Sequence, residues 1–467
     1  VREERPINAD EPAKPTPAKG EEEKSEGAKG PSPSKEQSSA EGSAKSTEPA
    51  PPKPKRQRRP IPAALKLIGG TVLVAVVFIV AAIVGGGGGT SQPQGPAPTP
   101  AGGETTAADK PADEEPARQA ATELGYPAFA TDNTTRIGGS DPASNAAAAA
   151  LAVFPSTTPA QQPAAVSIVD EGDWEAAIAA AVLMAEPVRA PVLFSDADEI
   201  PDPTAEALDA LEPHGDSDTE GAGAFAIGAA PDLEGGKVTR VGGSGAAAAA
   251  AIAALRERLV GKAPAHVVVA PSGQPGFAMP AAAWAARSGD PVLFAAKDTL
   301  PEATVAALKL HPKLPVFVLG PPTAISDRVL GEIDKLAGKA HRVSGKDPVA
   351  NAVAFSRYAN GGFGWNINDP GHGFVVARSD SPLDAAAAAP LSAAGTWGPL
   401  LLTDSADTLP APLRDYLLDV KPGYSTDPTR AFYNHVWLLG DLGAIDVDQQ
   451  AEINSLAELA KIGGGEE

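Results

Sequence analysis

Three arginines recur at nearly constant spacing in a chain that is otherwise acidic. They open Arg136-Ile-Gly-Gly139, Arg240-Val-Gly-Gly243 and Arg342-Val-Ser-Gly345, which lie 104 and 102 residues apart. A guanidinium is a planar fork that grips carboxylate or phosphate through two parallel hydrogen bonds. One such side chain per unit could read an anionic ligand. It could equally hold neighbouring units together through ion pairs.

Other chemistry finds little footing. His214, His266, His311, His341, His372 and His435 are scattered, with no H-x-x-x-H or H-E-x-x-H spacing, so no metal is expected. Cysteine is absent, which excludes thiol nucleophiles, thiolate metal ligands and disulfides. No G-x-S-x-G elbow occurs, and no Ser/His/Asp set recurs between units. Asp196 and Asp198 fall in a turn before a helix, where carboxylates act as caps. Gly243-Ser-Gly245 has the look of a dinucleotide fingerprint, but the other units lack it. Trp365, in the glycine-rich stretch Gly361–Asn366, could stack on a sugar if exposed. The expectation is a protein that is not an enzyme, with no catalytic residue, cofactor or metal.

The elements that position these residues repeat. Each opening leads into an Ala-rich helix, twice introduced by G-x-D-P-x-x-N-A: Asp141-Pro142…Asn145 and Asp347-Pro348…Asn351. Asp suits the N-cap and Pro the first helical position. A β-rich run follows (Ala165–Val169, His266–Ala270, Phe374–Ala377), then another Ala-rich helix. Next come the short apolar runs Val192-Leu193-Phe194, Val292-Leu293-Phe294 and Leu400-Leu401-Leu402, each directly after a proline. Without alternation, these fit strands covered on both faces of a parallel sheet. Asp-x-[Ile/Leu]-Pro follows at Asp198–Pro201, Asp298–Pro301 and Asp407–Pro410, then a helix and a last strand ending in glycine. Each unit thus reads β-α-β-α-β-α-β, which implies an α/β fold with mainly parallel sheets.

This order of motifs resembles the type 2 cell-wall-binding repeats of Gram-positive surface proteins, which usually occur as three tandem copies. The resemblance rests on the R-[IL]-x-G opening, the helix motif at Leu383-Asp384-Ala385-Ala386, the I-L-L-like strands and the closing strand into glycine. It runs from Arg136 to Leu459. In copy two the helix motif has become Phe277-Ala278-Met279-Pro280, and the D-R-x-x-T-A usual after the opening is D-P-x-x-N-A in copies one and three. The resemblance implies three Rossmann-like repeats in a pseudo-threefold arrangement. It also implies non-covalent attachment to an anionic wall polysaccharide or teichoic-acid-like polymer. Candidate binding residues on that basis are Arg136, Arg240, Arg342 and the three I-L-L-like runs. On physical grounds alone, those runs are buried strand residues.

The chain before the repeats differs in kind. Of 467 residues, 43% are hydrophobic and 5% aromatic, with 48 Gly and 48 Pro; the net charge is −21. Residues 1–60 carry a net +2 and almost no large apolar side chain, so a disordered tail is expected. Residues 61–84 contain the uncharged stretch Leu67–Val84, roughly 27 Å as a helix and long enough for one transmembrane span. Lys53, Lys55, Arg56, Arg58 and Arg59 precede it, which places the N-terminus in the cytoplasm and everything after the span outside. Residues 85–124, rich in Gly and Pro, read as a flexible linker, and the repeats fill 125–235, 236–338 and 339–467. All the excess acid lies beyond residue 66, which argues against nucleic acid as a partner. The expectation is a single-pass cell-envelope protein whose outer module binds a wall glycopolymer. A non-enzymatic scaffold or protein-binding module of the same fold is the alternative.

Overall fold

The computed structural model describes residues 130–462, apart from 232, 234 and 235. These belong to the second of the chain's two compact units, residues 105–467. The tail 1–60, the expected span 61–84 and the linker 85–124 lie outside the described residues. Among the described residues, no helix is long and apolar enough to cross a membrane.

The alternation read from the sequence is present in all three copies. The first runs β1 (Thr134–Ile137), α1 (Pro142–Val153), β2 (Val166–Asp170), α2 (Trp174–Ala180), β3 (Val192–Ser195), α3 (Asp202–Leu211) and β4 (Ala224–Ile227). The second runs β5 (Val238–Val241), α4 (Gly245–Val260), β6 (Val267–Pro271), the short α5 (Pro275–Ala278), α6 (Pro280–Ser288), β7 (Val292–Ala295), α7 (Glu302–Leu310), β8 (Val316–Leu319) and α8 (Asp327–Leu336). The third runs β9 (Ala340–Val343), α9 (Pro348–Arg357), β10 (Gly373–Arg378), α10 (Leu383–Ala387), β11 (Leu400–Thr403), α11 (Ala411–Asp419), β12 (Gly423–Tyr424), β13 (His435–Leu439), α12 (Val447–Ala457) and β14 (Ala460–Lys461). Local chemistry sets the boundaries. Asp141 and Asp347 accept from the backbone N–H three residues on, at 2.8 and 2.7 Å, and cap α1 and α9. Pro201, Pro301 and Pro410 stand immediately before α3, α7 and α11.

The sheets are offset from the sequence copies by one strand. Their orders are β3-β2-β4-β5, β7-β6-β8-β9 and β11-β10-β13-β1, all parallel. Each opening strand therefore completes the sheet of the copy before it, and β1 completes the sheet of the last. Arg240 stands opposite Ala226, Arg342 opposite Val318 and Arg136 opposite Leu438. The series closes on itself. A tight turn after each opening strand then sends the chain into the next copy. At Gly138, φ is +99° and an added Cβ would lie 2.1 Å from the Asn145 side-chain oxygen, so only glycine fits.

One buried apolar cluster joins all three copies, so they are not independent domains. Alanines make much of it. Ala146, Ala147, Ala149 and Ala150 of α1 are fully buried, as are Ala176, Ala177 and Ala180 of α2. Small side chains let helices approach closely, which explains a large core with few aromatics. A second cluster lines the other face of the middle sheet, from Val267 and Val269 to Ile325, Val329 and Ile333.

Candidate functional site

The three opening arginines lie on the edge strands of three different sheets. Arg136 is fully buried; its guanidinium donates to the carbonyls of Gly440 (3.1 Å) and Asp441 (2.8 Å) and to Gln450 Oε1 (2.9 Å). Burial pulls its pKa down to about 10, against the raising effect of Asp441 and Asp446. Arg240 donates to the Ala230 carbonyl at 2.7 Å. Arg342 donates to the Gly320 carbonyl at 2.8 Å and pairs with Asp327 at 3.0 Å. In each case the guanidinium ties down the turn that follows the closing strand beside it in the same sheet. The apolar runs are core: Val192, Leu193, Phe194, Val292, Leu293, Phe294, Leu400, Leu401 and Leu402 are all at most 2% exposed.

In parallel α/β sheets, ligands sit outside the carboxyl ends of the strands. A groove of about 850 Å³ lies at that end of the third sheet, where copy three meets copy one. Gly139, Ser140 and Asp141 enter it from the turn after β1, Arg378 from the end of β10 and Asp441 from the turn after β13. Asn145 organises its floor. Its Oδ1 accepts from Gly139 N–H at 2.9 Å, and its Nδ2 donates to Asp384 Oδ1 at 2.9 Å. The D-P-x-x-N spacing thus caps a helix, braces a glycine turn and reaches the neighbouring copy at once. In copy three, Asn351 Oδ1 accepts from Gly345 N–H at 3.0 Å in the same way.

Electrostatically the groove is acidic. Asp384 is 4% exposed, and its carboxyl is pushed up to about 7, chiefly by burial and further by Asp380 and Asp141, while the Asn145 bond opposes. Glu171 is raised by burial, then by Asp196 and Asp141. Arg378 is bound to Asp380 through two hydrogen bonds of 3.1 and 2.8 Å, which hold that carboxyl below its ordinary range. Such a lining offers acceptors, one amide and one guanidinium, which suits hydroxyl-rich ligands better than polyanions. The corresponding place between copies one and two is bridged by a hydrogen bond. There Gly245 N–H, where a fingerprint would receive phosphate, donates to the Asp173 carboxylate at 2.7 Å. Among the described residues, no three His, Cys, Asp or Glu side chains are grouped to hold a metal ion.

In the sequence, Asp384 belongs to a helix motif, and Asp141 and Asn145 to a helix start. Their spacing alone does not bring them together, since the contact spans 239 residues. The signal available was the polar Asp inside an alanine run, which a buried helix does not otherwise tolerate.

Fold and groove define a class of protein: a tandem α/β module of three parallel sheets that exchange edge strands. No family model and no curated protein matches the sequence. Solved structures do share the fold. Cwp6 from Clostridium difficile is 20% identical with a TM-score of 0.55, over 70% of this chain and 48% of that one. Cwp8 from Clostridium difficile is 17% identical with a TM-score of 0.53, over 70% of this chain and 51% of that one. The chain spans about half the length of each, and the likeness is one of fold.

Proposed function

We propose that this chain is a cell-envelope protein whose three-copy module, in a pseudo-threefold arrangement, binds a cell-wall glycopolymer without covalent attachment. The observation that carries the reading is the closed three-sheet fold, shared with two cell wall proteins of Clostridium difficile. The uncharged stretch Leu67–Val84 would hold the module at the membrane, with the tail inside and the repeats in the wall zone. No catalytic step is assigned to it. The polymer expected is anionic, so its charged groups must be met away from the acidic groove between copies three and one.

The test is sedimentation of the full chain, in detergent, with purified Gram-positive walls and with walls stripped of secondary polymer. Retention on intact walls and loss on stripped walls is the expected result. That groove supports a second reading, a scaffold that docks a protein, because five carboxylates stand against Arg378 there. Equal retention on both kinds of wall, or none on either, would favour it.

A further inference from the structure

A cavity of about 510 Å³ lies at the opposite ends of the strands, between copies two and three. Its residues stand just before β6, β7, β10 and β11: His266, Asp290, His372 and Trp397. Three of the chain's five tryptophans line it, Trp284, Trp365 and Trp397. In a chain with 5% aromatics that concentration needs a reason.

Two of the rings are built into the wall. Trp284 Nε1 donates to Asp290 Oδ2 at 2.9 Å, and Asp290 also accepts from His266 N–H at 2.9 Å and pairs with His266 Nδ1 at 3.0 Å. Trp365 meets Trp284 edge-on at 5.5 Å, and its indole N–H is shut off from solvent without a hydrogen-bond partner. Trp397 is different. It is 50% exposed, and its backbone sits at φ +62°, a region that bulky side chains rarely occupy. Strain of that kind collects at binding sites, where surrounding structure holds it in place.

Arg287, at the end of α6, lies over the Trp397 ring with its Cζ 4.7 Å from the centroid. It forms no ion pair or hydrogen bond among the described residues. Most of its counterparts are taken: Arg258 by Glu220, Arg328 by Glu332, Arg378 by Asp380, Arg414 by Glu452. The cavity therefore combines a half-exposed indole, an exposed guanidinium stacked on it without an ion-pair partner, and polar groups at the rear.

We propose that this cavity is a subsite for a pyranose that carries a carboxylate or phosphate. The sugar's C–H face packs on Trp397, its anionic group meets Arg287, and its hydroxyls meet His372 and the carbonyls of the glycine-rich loop. Aromatic lining with a few placed polar groups is the usual make-up of a small-molecule site. The proposal rests on the wall-glycan reading above and supplies the anion-matching place that the acidic groove lacks.

The experiment titrates the full chain with tetragalacturonate, glucose 6-phosphate and neutral maltotetraose, following tryptophan emission. An anionic sugar should shift the emission saturably, and which of the two does so tells carboxylate from phosphate. Trp397→Gly, followed by titration calorimetry because it removes the reporting indole, should weaken that binding by about tenfold or more. Glycine adopts the +62° backbone freely, so this variant should melt no lower than the parent. Arg287→Gln should weaken the anionic sugar and leave maltotetraose unchanged. The proposal is overturned if neither anionic sugar shifts the emission, if binding by calorimetry survives undiminished in Trp397→Gly, or if Arg287→Gln binds like the parent. Wall sedimentation on the same samples separates this from the broader reading. A parent chain retained by walls but silent to all three sugars removes the subsite alone. A parent chain that walls do not retain removes the wall-binding function, while the titration still judges the cavity.

Discussion

Arg136 donates a 2.8 Å hydrogen bond to the carbonyl of Asp441, a residue 305 positions later. The same guanidinium reaches Gln450 of α12, whose amide in turn donates to Thr134 Oγ1 at 2.9 Å. The first described strand is thus locked into the last sheet by side-chain bonds on one face as well as by its main-chain pairing with β13. A tandem array with free ends can fray one unit at a time. Here the seam between first and last copies is as hydrogen-bonded as the internal ones, and the ends restrain each other.

The three arginines should therefore differ sharply when changed. Arg136→Gln strands two carbonyls and the Gln450 amide oxygen in a fully buried place, at a cost of about 3 kcal/mol. Arg342→Gln loses a bond to Gly320 and a pair with the exposed Asp327, a cost of about 1 kcal/mol. Arg240 is exposed and its variant should fall below that. Thermal melts of the three single variants give the ranking. Equal losses at all three positions would contradict the seam as described.

How much of this was legible in the sequence follows from the range of each interaction. Helix starts at Asp141 and Asp347 could be read because a cap and its helix lie within four residues. The strands around Leu193, Leu293 and Leu401 could be read because an uninterrupted apolar run has few other places to go. The exchange of edge strands could not. A four-residue strand such as Val238–Val241 pairs equally well with either neighbour by pattern, and only the tertiary crossing at Gly138 and Gly243 decides. Nor could the tryptophan cavity, which gathers residues 284, 365 and 397 from two copies. Trp365 alone stood out, by its glycine-rich setting, while Trp284 and Trp397 sat in helix and turn without a repeating partner.

Strand exchange predicts complementation. A chain that begins at Pro142 lacks β1 and leaves β13 as an open edge, with its main-chain groups unpaired along Val436–Leu439. It should melt lower, and amide exchange in β13 should speed up. A synthetic peptide of residues 130–141 should restore part of the lost melting temperature by adding back as a parallel strand. Absence of any rescue, with β13 still protected in the truncated chain, would refute the seam's role.

Core position predicts how the I-L-L-like runs respond. Leu401 is fully buried in β11, so Leu401→Ala should cost about 3 kcal/mol through lost contact and residual cavity. Wall retention should fall only as far as the folded fraction falls. Retention and near-ultraviolet dichroism measured on the same samples make the comparison. A fully folded Leu401→Ala protein that no longer binds walls would assign this run a contact role that its burial argues against.

Asp384 predicts the direction in which stability moves with pH. Its carboxyl titrates near 7 in the folded chain, mainly because burial disfavours the charge, against about 3.9 when unfolded. Between those values the folded state keeps a proton that the unfolded state has released. Unfolding then releases protons, so stability must fall as pH rises through this window. Glu175, raised to about 7 by burial and by Asp173, acts in the same sense. His266, raised chiefly by its bond to Asp290, does too, since its contribution is present at low pH and lost as pH rises through the folded value. His435, lowered by burial, acts in the opposite sense and partly offsets them. The chain should therefore melt higher at pH 5 than at pH 8. Asp384→Asn keeps an oxygen for Asn145 Nδ2 to donate to, and removes the titration. Its melting temperature should change less between the two pH values than the parent's, with the gain concentrated at pH 8 and on the order of 2–4 kcal/mol. The same difference between pH 5 and pH 8 in both proteins would show that this carboxyl does not carry the effect.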